Sequence, residues 1–531
     1  MRRVTLLLVV ATALWPVTPA GSQEVQPRPE IEVTWSLAPR FGLDEDADGL
    51  TDFLNTTAYV HNRVTGCRPC PEPRFAVRLE ASAIAGLPVA AYAWRLTGSG
   101  IGGLNEYHEL GPSLEVMLPE GQYLADVRAV VPLPWGRVEM HGRETLVVDD
   151  LLVVAIGDSY ASGEGNPETR RYGPPAPALW GDGGDAAATA AHASAHRSTI
   201  AWPVRLALAL EQADPHTSVT FVSVAASGAR VDHGILSPQS RTMPSQVEQV
   251  SDLVGERPID LLLVQEGGNS IGFTRVVRAL VEADPLFDPV CYELLLDQAF
   301  ASVQDGDWSR GTRVRFELPF DLSCVPAPGV GPQLPGLDGL GASVDRLAGA
   351  LDAFAIERVV LVGYPDPTGA DSAGLRCREI VGDVTPPIRF HEISRAEGRR
   401  GVSEVVDPLN AELARAAAAH GWTFVDGVAA AFGQGHGYCA AWPDYGYPEE
   451  YAAAPGFAAS QLAFPDGWYR NPGPVLPAVA VGGIGVTWYR TAAQSSVLQG
   501  PAAPFATTGT LHPNELGHAA IAELVLRSLG D

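Results

Sequence analysis

The chain has 531 residues, enough for two or more domains and a large buried core. Its formal net charge of −26 makes a polyanionic surface that repels phosphate backbones, which argues against nucleic-acid binding. All 36 basic residues are arginine, so a Ser-Lys dyad, a lysine Schiff base and a P-loop lysine are excluded, and an activated serine must rely on histidine or a carboxylate. At the N-terminus, Met1–Arg2–Arg3 precedes an apolar stretch from Val4 to Trp15, and Pro16–Val17–Thr18–Pro19–Ala20 ends in small residues. That is the layout of a signal peptide covering residues 1–22, too short to span a bilayer. No later stretch is long and apolar enough to do so, and the expectation is a secreted, soluble protein, extracellular or periplasmic.

Residues 30–148 read as an all-β domain. Strand-like runs at Thr34–Ser36, Phe75–Leu79, Ala90–Leu96, Leu114–Met117, Tyr123–Val130 and Thr145–Val148 are separated by Gly, Pro and Asp. Trp94, followed later by the turn Glu120–Gly121–Gln122–Tyr123, suggests a small Ig-like β-sandwich. Within it, Asp44–Glu45–Asp46–Ala47–Asp48–Gly49–Leu50–Thr51–Asp52 alternates carboxylates around a glycine turn. Asp44, Asp46, Asp48 and Asp52, with the Leu50 carbonyl, would present hard oxygens to a structural Ca2+. A solvated acidic loop is the alternative. Asn55 stands where an EF-hand carries its glutamate, so the loop is more similar to the calcium loops of thrombospondin-type repeats.

From about residue 150 to 531 the pattern changes to alternating strands and helices. Strands are predicted at 151–156, 219–225, 259–265, 358–363 and 422–427, and helices at 200–213, 243–255, 271–282, 337–354, 405–420 and 513–529. Such alternation implies an α/β domain with a parallel sheet covered by helices. Two long irregular stretches, 284–336 and 428–508, interrupt it. Six cysteines in an exported chain suggest three disulfides. Nearest-neighbour pairing gives Cys67–Cys70, Cys291–Cys324 and Cys377–Cys439, one of several connectivities. The C-x-x-C at Cys67 has redox and half-zinc-site readings beside the structural one.

The run Leu151–Ile156 ends at once in Gly157–Asp158–Ser159. Ligands bind past the carboxyl ends of parallel strands, where a serine is either an exposed nucleophile or the cap of the next helix. In a parallel sheet, three further segments would converge on the same edge. The strand at 219–225 leads to Ala226–Ser227–Gly228, the strand at 259–265 to Glu266–Gly267–Gly268–Asn269, and the last helix follows Leu511–His512–Pro513–Asn514. His512 is the candidate base for Ser159. The N–H groups of Ser159 and Gly228 and the Asn269 amide are candidate oxyanion donors. Taken singly, these positions are more commonly a turn glycine, a capping asparagine and a loop histidine.

Gly157–Asp158–Ser159, Gly228, Gly268–Asn269 and His512–Pro513 together resemble the four motif blocks of the SGNH (GDSL) hydrolases. The likeness is greatest to their secreted bacterial esterase/lipase branch. Residues 157–165, His196–Arg197–Ser198, Arg257–Pro258–Ile259–Asp260 and Gly509–Asn514 add to it. The resemblance implies a flavodoxin-like α/β/α fold and ester hydrolysis through an acyl-serine, with no catalytic cofactor. Ser159 would be nucleophile and first oxyanion donor, Gly228 and Asn269 the other donors, and His512 the base. Three positions depart from the family. Gly509 stands three residues before the histidine, where the family often has Asp, so a Ser-His dyad oriented by a main-chain carbonyl is expected, with an acid from elsewhere as the fallback. Ser270 replaces a usual Asp. Ala195 and Ala226 replace a pair of cysteines found in many relatives, which predicts that the two alanines are neighbours in space. The substrate is then an ester, either lipid or acylated glycan. An acetyl esterase on glycans, or a catalytically weak binding or adhesion protein on the same scaffold, are the alternatives.

Overall fold

A computed structural model describes residues 31–43, 53–54, 74–82, 89–98, 103–109, 111–166, 192–283, 288–317, 321–328, 331, 333–368, 380–381, 388–390, 395–438, 487–490, 495 and 508–530. The predicted signal peptide, the acidic-loop residues Asp44, Asp46, Asp48, Leu50 and Asp52, and the C-x-x-C cysteines lie outside the described residues. Among the described residues, no helix is long and apolar enough to cross a membrane. Cys324 is disulfide-bonded, and the other five cysteine side chains lie outside the described residues.

In the first region, period-two alternation sets the strand faces. In Phe75–Ser82, Phe75, Val77, Leu79 and Ala81 point inward while Ala76, Arg78, Glu80 and Ser82 face solvent. The strands are β1 (Glu32–Leu37), β2 (Phe75–Ser82), β3 (Ala91–Gly98), β4 (Gly103–Glu109), β5 (Ser113–Leu118), β6 (Gly121–Leu133) and β7 (Gly136–Gly157). One antiparallel sheet has the order β1-β2-β5, and an antiparallel run β4-β3-β6-β7 belongs to a second, larger sheet. Their inward side chains form one apolar cluster around Leu79, Trp94, Leu96 and Tyr123. Strand β4 was not expected from the sequence. It is an edge strand carrying Asn105, Glu106, His108 and Glu109, the charged composition that protects a sheet edge from further pairing.

No loop separates residues 148 and 150. Strand β7 runs through both as one 22-residue element. Its first part pairs antiparallel with β6, and its second part is the central parallel strand of the next region. Asp149–Asp150 reads as a strand breaker, yet Asp150 sits inside the sheet because it is fully bonded there. It accepts from Ser218 Oγ at 2.5 Å and Thr220 Oγ1 at 2.6 Å, and from Arg257 Nη2 at 2.9 Å. A buried carboxylate is tolerated when its charge and lone pairs are matched in this way.

Beyond β7 come α1 (Ser159–Ser162), α2 (Trp202–Ala213), β8 (Thr217–Ser223), α3 (Gln246–Val254), β9 (Ile259–Gln265), α4 (Phe273–Val281) and α5 (Asp288–Asp305). They are followed by β10 (Arg310–Glu317), β11 (Asp321–Pro328), α6 (Gly336–Leu351), β12 (Ile356–Val362), α7 (Asp407–His420), β13 (Thr423–Val425), α8 (Gly427–Gly433) and α9 (Glu515–Gly530). The fold is thus mixed α/β. The parallel strands run β8-β7-β9-β12-β13 across the sheet. β9 is nearly continuous apolar sequence, and β8 is buried along its middle five residues although Ser and Thr are among them, as strands covered on both faces require. The order reverses at β7, which places a crevice at the carboxyl ends of β7 and β9. The stretch 284–336, expected to be irregular, instead carries helix α5 and the β10–β11 hairpin. Pro289 does not break α5 because it occupies the first helical turn, where its missing N–H is no loss. Of 428–508, most lies outside the described residues.

Candidate active site

The carboxyl end of β7 is shaped by Gly157, at φ +144. A Cβ there would run into the Gln265 carbonyl of β9, so only glycine lets the two strands close up at this point. The Gln246 amide clamps both backbone groups of Gly157 at 2.8 Å. Asp158 then caps α1, accepting from the Tyr160 N–H at 2.9 Å. The cap of this helix is therefore Asp158, and Ser159 is its first helical residue. The Ser159 hydroxyl is left to meet His512, whose Nε2 lies 2.8 Å from Ser159 Oγ.

His512 is held by backbone. Leu511 before it adopts φ +62, a strained value for a leucine, and its carbonyl accepts from the Tyr160 hydroxyl at 2.8 Å. The His512 N–H donates to Gly509 O at 3.0 Å, and Nδ1 faces Thr510 O at 3.3 Å. With Nδ1–H donating to that carbonyl, Nε2 carries the lone pair that accepts from Ser159. Burial draws the imidazole below its ordinary pKa; the nearby Glu164 charge and the Thr510 and Gly509 carbonyls oppose that, and His196 adds to it. The net shift favours the neutral form of the ring.

Gly509 is a packing position. It lies back to back with Gly165, at φ +84, whose own Cβ would fall 2.8 Å from Gly509 Cα. A side chain at 509 would meet the Gly165 backbone and the Ser495 hydroxyl. The neighbouring Glu164 is a site residue that sequence reading left without a role. It is fully buried and bonded to His196 Nδ1 at 2.5 Å and to the Thr508 hydroxyl at 2.6 Å. Burial alone would raise its pKa, but the His196 bond and charge, the His512 ring and Thr508 outweigh burial and hold it down to about 2. Both Glu164 and His196 stood in the stretches that resembled the family, and their proximity was the missing signal.

Asn269 lines the same cleft as Ser159 and His512. Its Nδ2 donates to Ala229 O at 3.1 Å, which ties the Gly228 turn to it. Gly228 has φ +79 and, among the described residues, its N–H has no protein acceptor. Gly228 is one residue from the Asn269 contact with Ala229. Ser270 holds its loop by donating to Glu266 Oε1 at 2.9 Å and accepting from the Val231 N–H at 3.3 Å. Ala195 O accepts from the Ser227 N–H at 3.0 Å, which sets Ala226 beside Ala195.

Under the cleft sit two further buried carboxyl groups. Tyr364 accepts from the Gly268 N–H at 2.9 Å and donates to Asp158 Oδ2 at 2.5 Å, joining the β7 and β9 strand ends. Burial pushes Asp158 up to about 7, and burial with the Asp158 charge pushes Glu266 up to about 8. A carboxyl raised above its unfolded value stabilises the fold while protonated, and that contribution is lost as pH rises through the folded value. Thermal stability is therefore expected to fall from about pH 5 to about pH 8.5, and Glu266→Gln should flatten that fall. An unchanged pH profile of Tm in the variant would show that Glu266 does not titrate in this window.

No protein-family model matches the chain, and no curated protein matches it. Among solved structures, it is similar to an active-site mutant of a family two carbohydrate esterase from Clostridium thermocellum. That likeness has 10% identity and a TM-score of 0.21 over 67% of this chain and 82% of the other. It is also similar to a sialyltransferase from Photobacterium damsela, with 11% identity and a TM-score of 0.17 over 38% of this chain and 42% of the other. Likenesses at these scores carry no argument about this chain.

Proposed function

We propose that the protein is a serine ester hydrolase of SGNH type, working through an acyl-serine intermediate. The observation that carries this is the 2.8 Å contact of His512 Nε2 with Ser159 Oγ at the carboxyl end of the central strand. Ser159 Oγ attacks the acyl carbon as its proton passes to His512 Nε2. The tetrahedral oxyanion is received by the N–H groups of Ser159 and Gly228 and by the Asn269 amide, which has a second proton beyond the one given to Ala229. The alcohol leaves with the proton from His512, and water repeats the sequence to release the acid. The strand order β8-β7-β9-β12-β13 supports a flavodoxin-like domain, and the neighbouring Ala195 and Ala226 support the motif alignment. In this reading, residues 30–148 are an appended β-sandwich with a structural Ca2+ at Asp44–Asp52, the protein is secreted, and the ester is lipid or acylated glycan.

Assay of the full chain on p-nitrophenyl esters, from acetyl to long-chain acyl, tests the reading. Turnover of at least one member is expected, and its chain-length preference separates short-acyl from lipid substrates. Failure on every member, at enzyme concentrations giving a folded protein, would overturn it.

A further inference from the structure

Among the described residues no carboxylate is bonded to His512, yet one is buried nearby, bound to both catalytic loops. Glu164 follows the nucleophile helix by two residues, and its N–H donates to Ser159 O at 3.0 Å. One carboxylate oxygen takes the hydroxyl of Thr508, which opens the loop Gly509–Thr510–Leu511–His512. The other oxygen takes His196 Nδ1. His196 reaches it from φ +52, a left-handed backbone conformation that costs a non-glycine residue free energy. The two partners differ in exposure: the Glu164 side chain is 0% exposed and that of His196 is 40% exposed. A fixed buried carboxylate is thus paired to an imidazole that solvent reaches.

We propose that Glu164 is a positioning residue that stabilises the imidazolium of His512 through space, in place of an aspartate at 509, and that the proton on His196 sets the strength of this effect. When Ser159 Oγ gives its proton to His512 Nε2, the positive charge that forms on the ring is drawn toward the Glu164 carboxylate. No proton moves to Glu164. A protonated His196 neutralises the carboxylate and weakens the stabilisation, and deprotonation of His196 restores it. The same charges support this reciprocally. Glu164 raises His512, His196 lowers it, and the Glu164 bond and charge, against burial, raise His196 above its ordinary value. The other groups facing His512 are the Tyr160 ring at 4.9 Å and the buried His518, which feels the His512 charge. Arg490 donates its N–H to His512 O, and its guanidinium is paired with Glu515.

The test has an arm that does not depend on turnover. The titration of the His512 imidazole is followed by NMR in the full chain as wild type, Glu164→Gln and His196→Gln. The last variant keeps a donor to Glu164 without the charge. The midpoint of His512 is expected to fall in Glu164→Gln and to rise in His196→Gln. The kinetic arm rests on the hydrolase reading: the acid limb of kcat/KM should move in the same opposite directions. Glu164→Gln should also lose about tenfold in kcat, the equivalent of one pKa unit of differential stabilisation, with partial recovery in Glu164→Asp. Shifts in the same direction, or no shift in either variant, would overturn the proposal even if kcat fell. Should Glu164→Gln not fold, a His196→Gln midpoint that fails to rise overturns it alone. A chain that hydrolyses no ester defeats the functional reading and leaves the NMR arm to decide this one.

Discussion

Ser159→Ala is expected to reduce ester hydrolysis by about 10^4-fold or more in kcat. The hydroxyl is the group His512 Nε2 meets at 2.8 Å, and the helix cap beside it belongs to Asp158. Removing the hydroxyl therefore removes the proposed nucleophile without removing a cap, and Tm should stay close to that of the wild type. His512→Ala should cost a comparable amount, and the double variant little more than either single one, because the two side chains act as one unit. A Ser159→Ala protein with wild-type turnover would show that another residue carries the chemistry. A loss accompanied by a large fall in Tm would assign Ser159 a structural role.

Gly509→Asp is the second large effect, and its sign runs against first intuition. It writes in the aspartate that the SGNH resemblance expects three residues before His512, so a gain in activity would be the simple forecast. The packing forecasts a loss. At 509 a Cβ meets the Gly165 backbone and lies 3.0 Å from Ser495 Oγ, and a Cβ on Gly165 would in turn meet the Gly509 backbone. A side chain at either glycine must push the nucleophile loop away from the histidine loop. Overpacking of this kind costs about 1–3 kcal/mol, and the new carboxylate also enters a region that already holds the Glu164 anion. The variant should show lower Tm and lower kcat/KM than wild type. An increase in kcat at unchanged Tm would mean that the Gly165–Gly509 contact does not decide what orients His512.

The parallel region was legible because its signals are local. The apolar runs in β8, β9 and β12 are punctuated by Ser218, Pro258 and Gly363, and strand β9 spans 259–265 as read. That Ser159 and His512, separated by 353 positions, meet was legible because the strands of a parallel sheet present their ends on one edge. Other features depend on tertiary partners that no local pattern carries. Strand β7 passes through Asp149–Asp150 because Ser218, Thr220 and Arg257 converge on Asp150. Strand β4 has the polar composition of an edge and no apolar alternation to betray it. The pairing of Glu164 with His196 needs a positive φ at a histidine and a bond across 32 positions. Gly509 read as a vacancy in a motif; in the fold it is one half of a backbone contact.

Reaction of the full chain with a fluorophosphonate, followed by mass mapping of the modified peptide, tests directly whether Ser159 is a nucleophile activated by His512. One adduct is expected, on Ser159, formed by wild type and absent from Ser159→Ala and His512→Ala. Absence of an adduct on the folded wild-type protein, or an adduct on a different residue, would contradict that assignment.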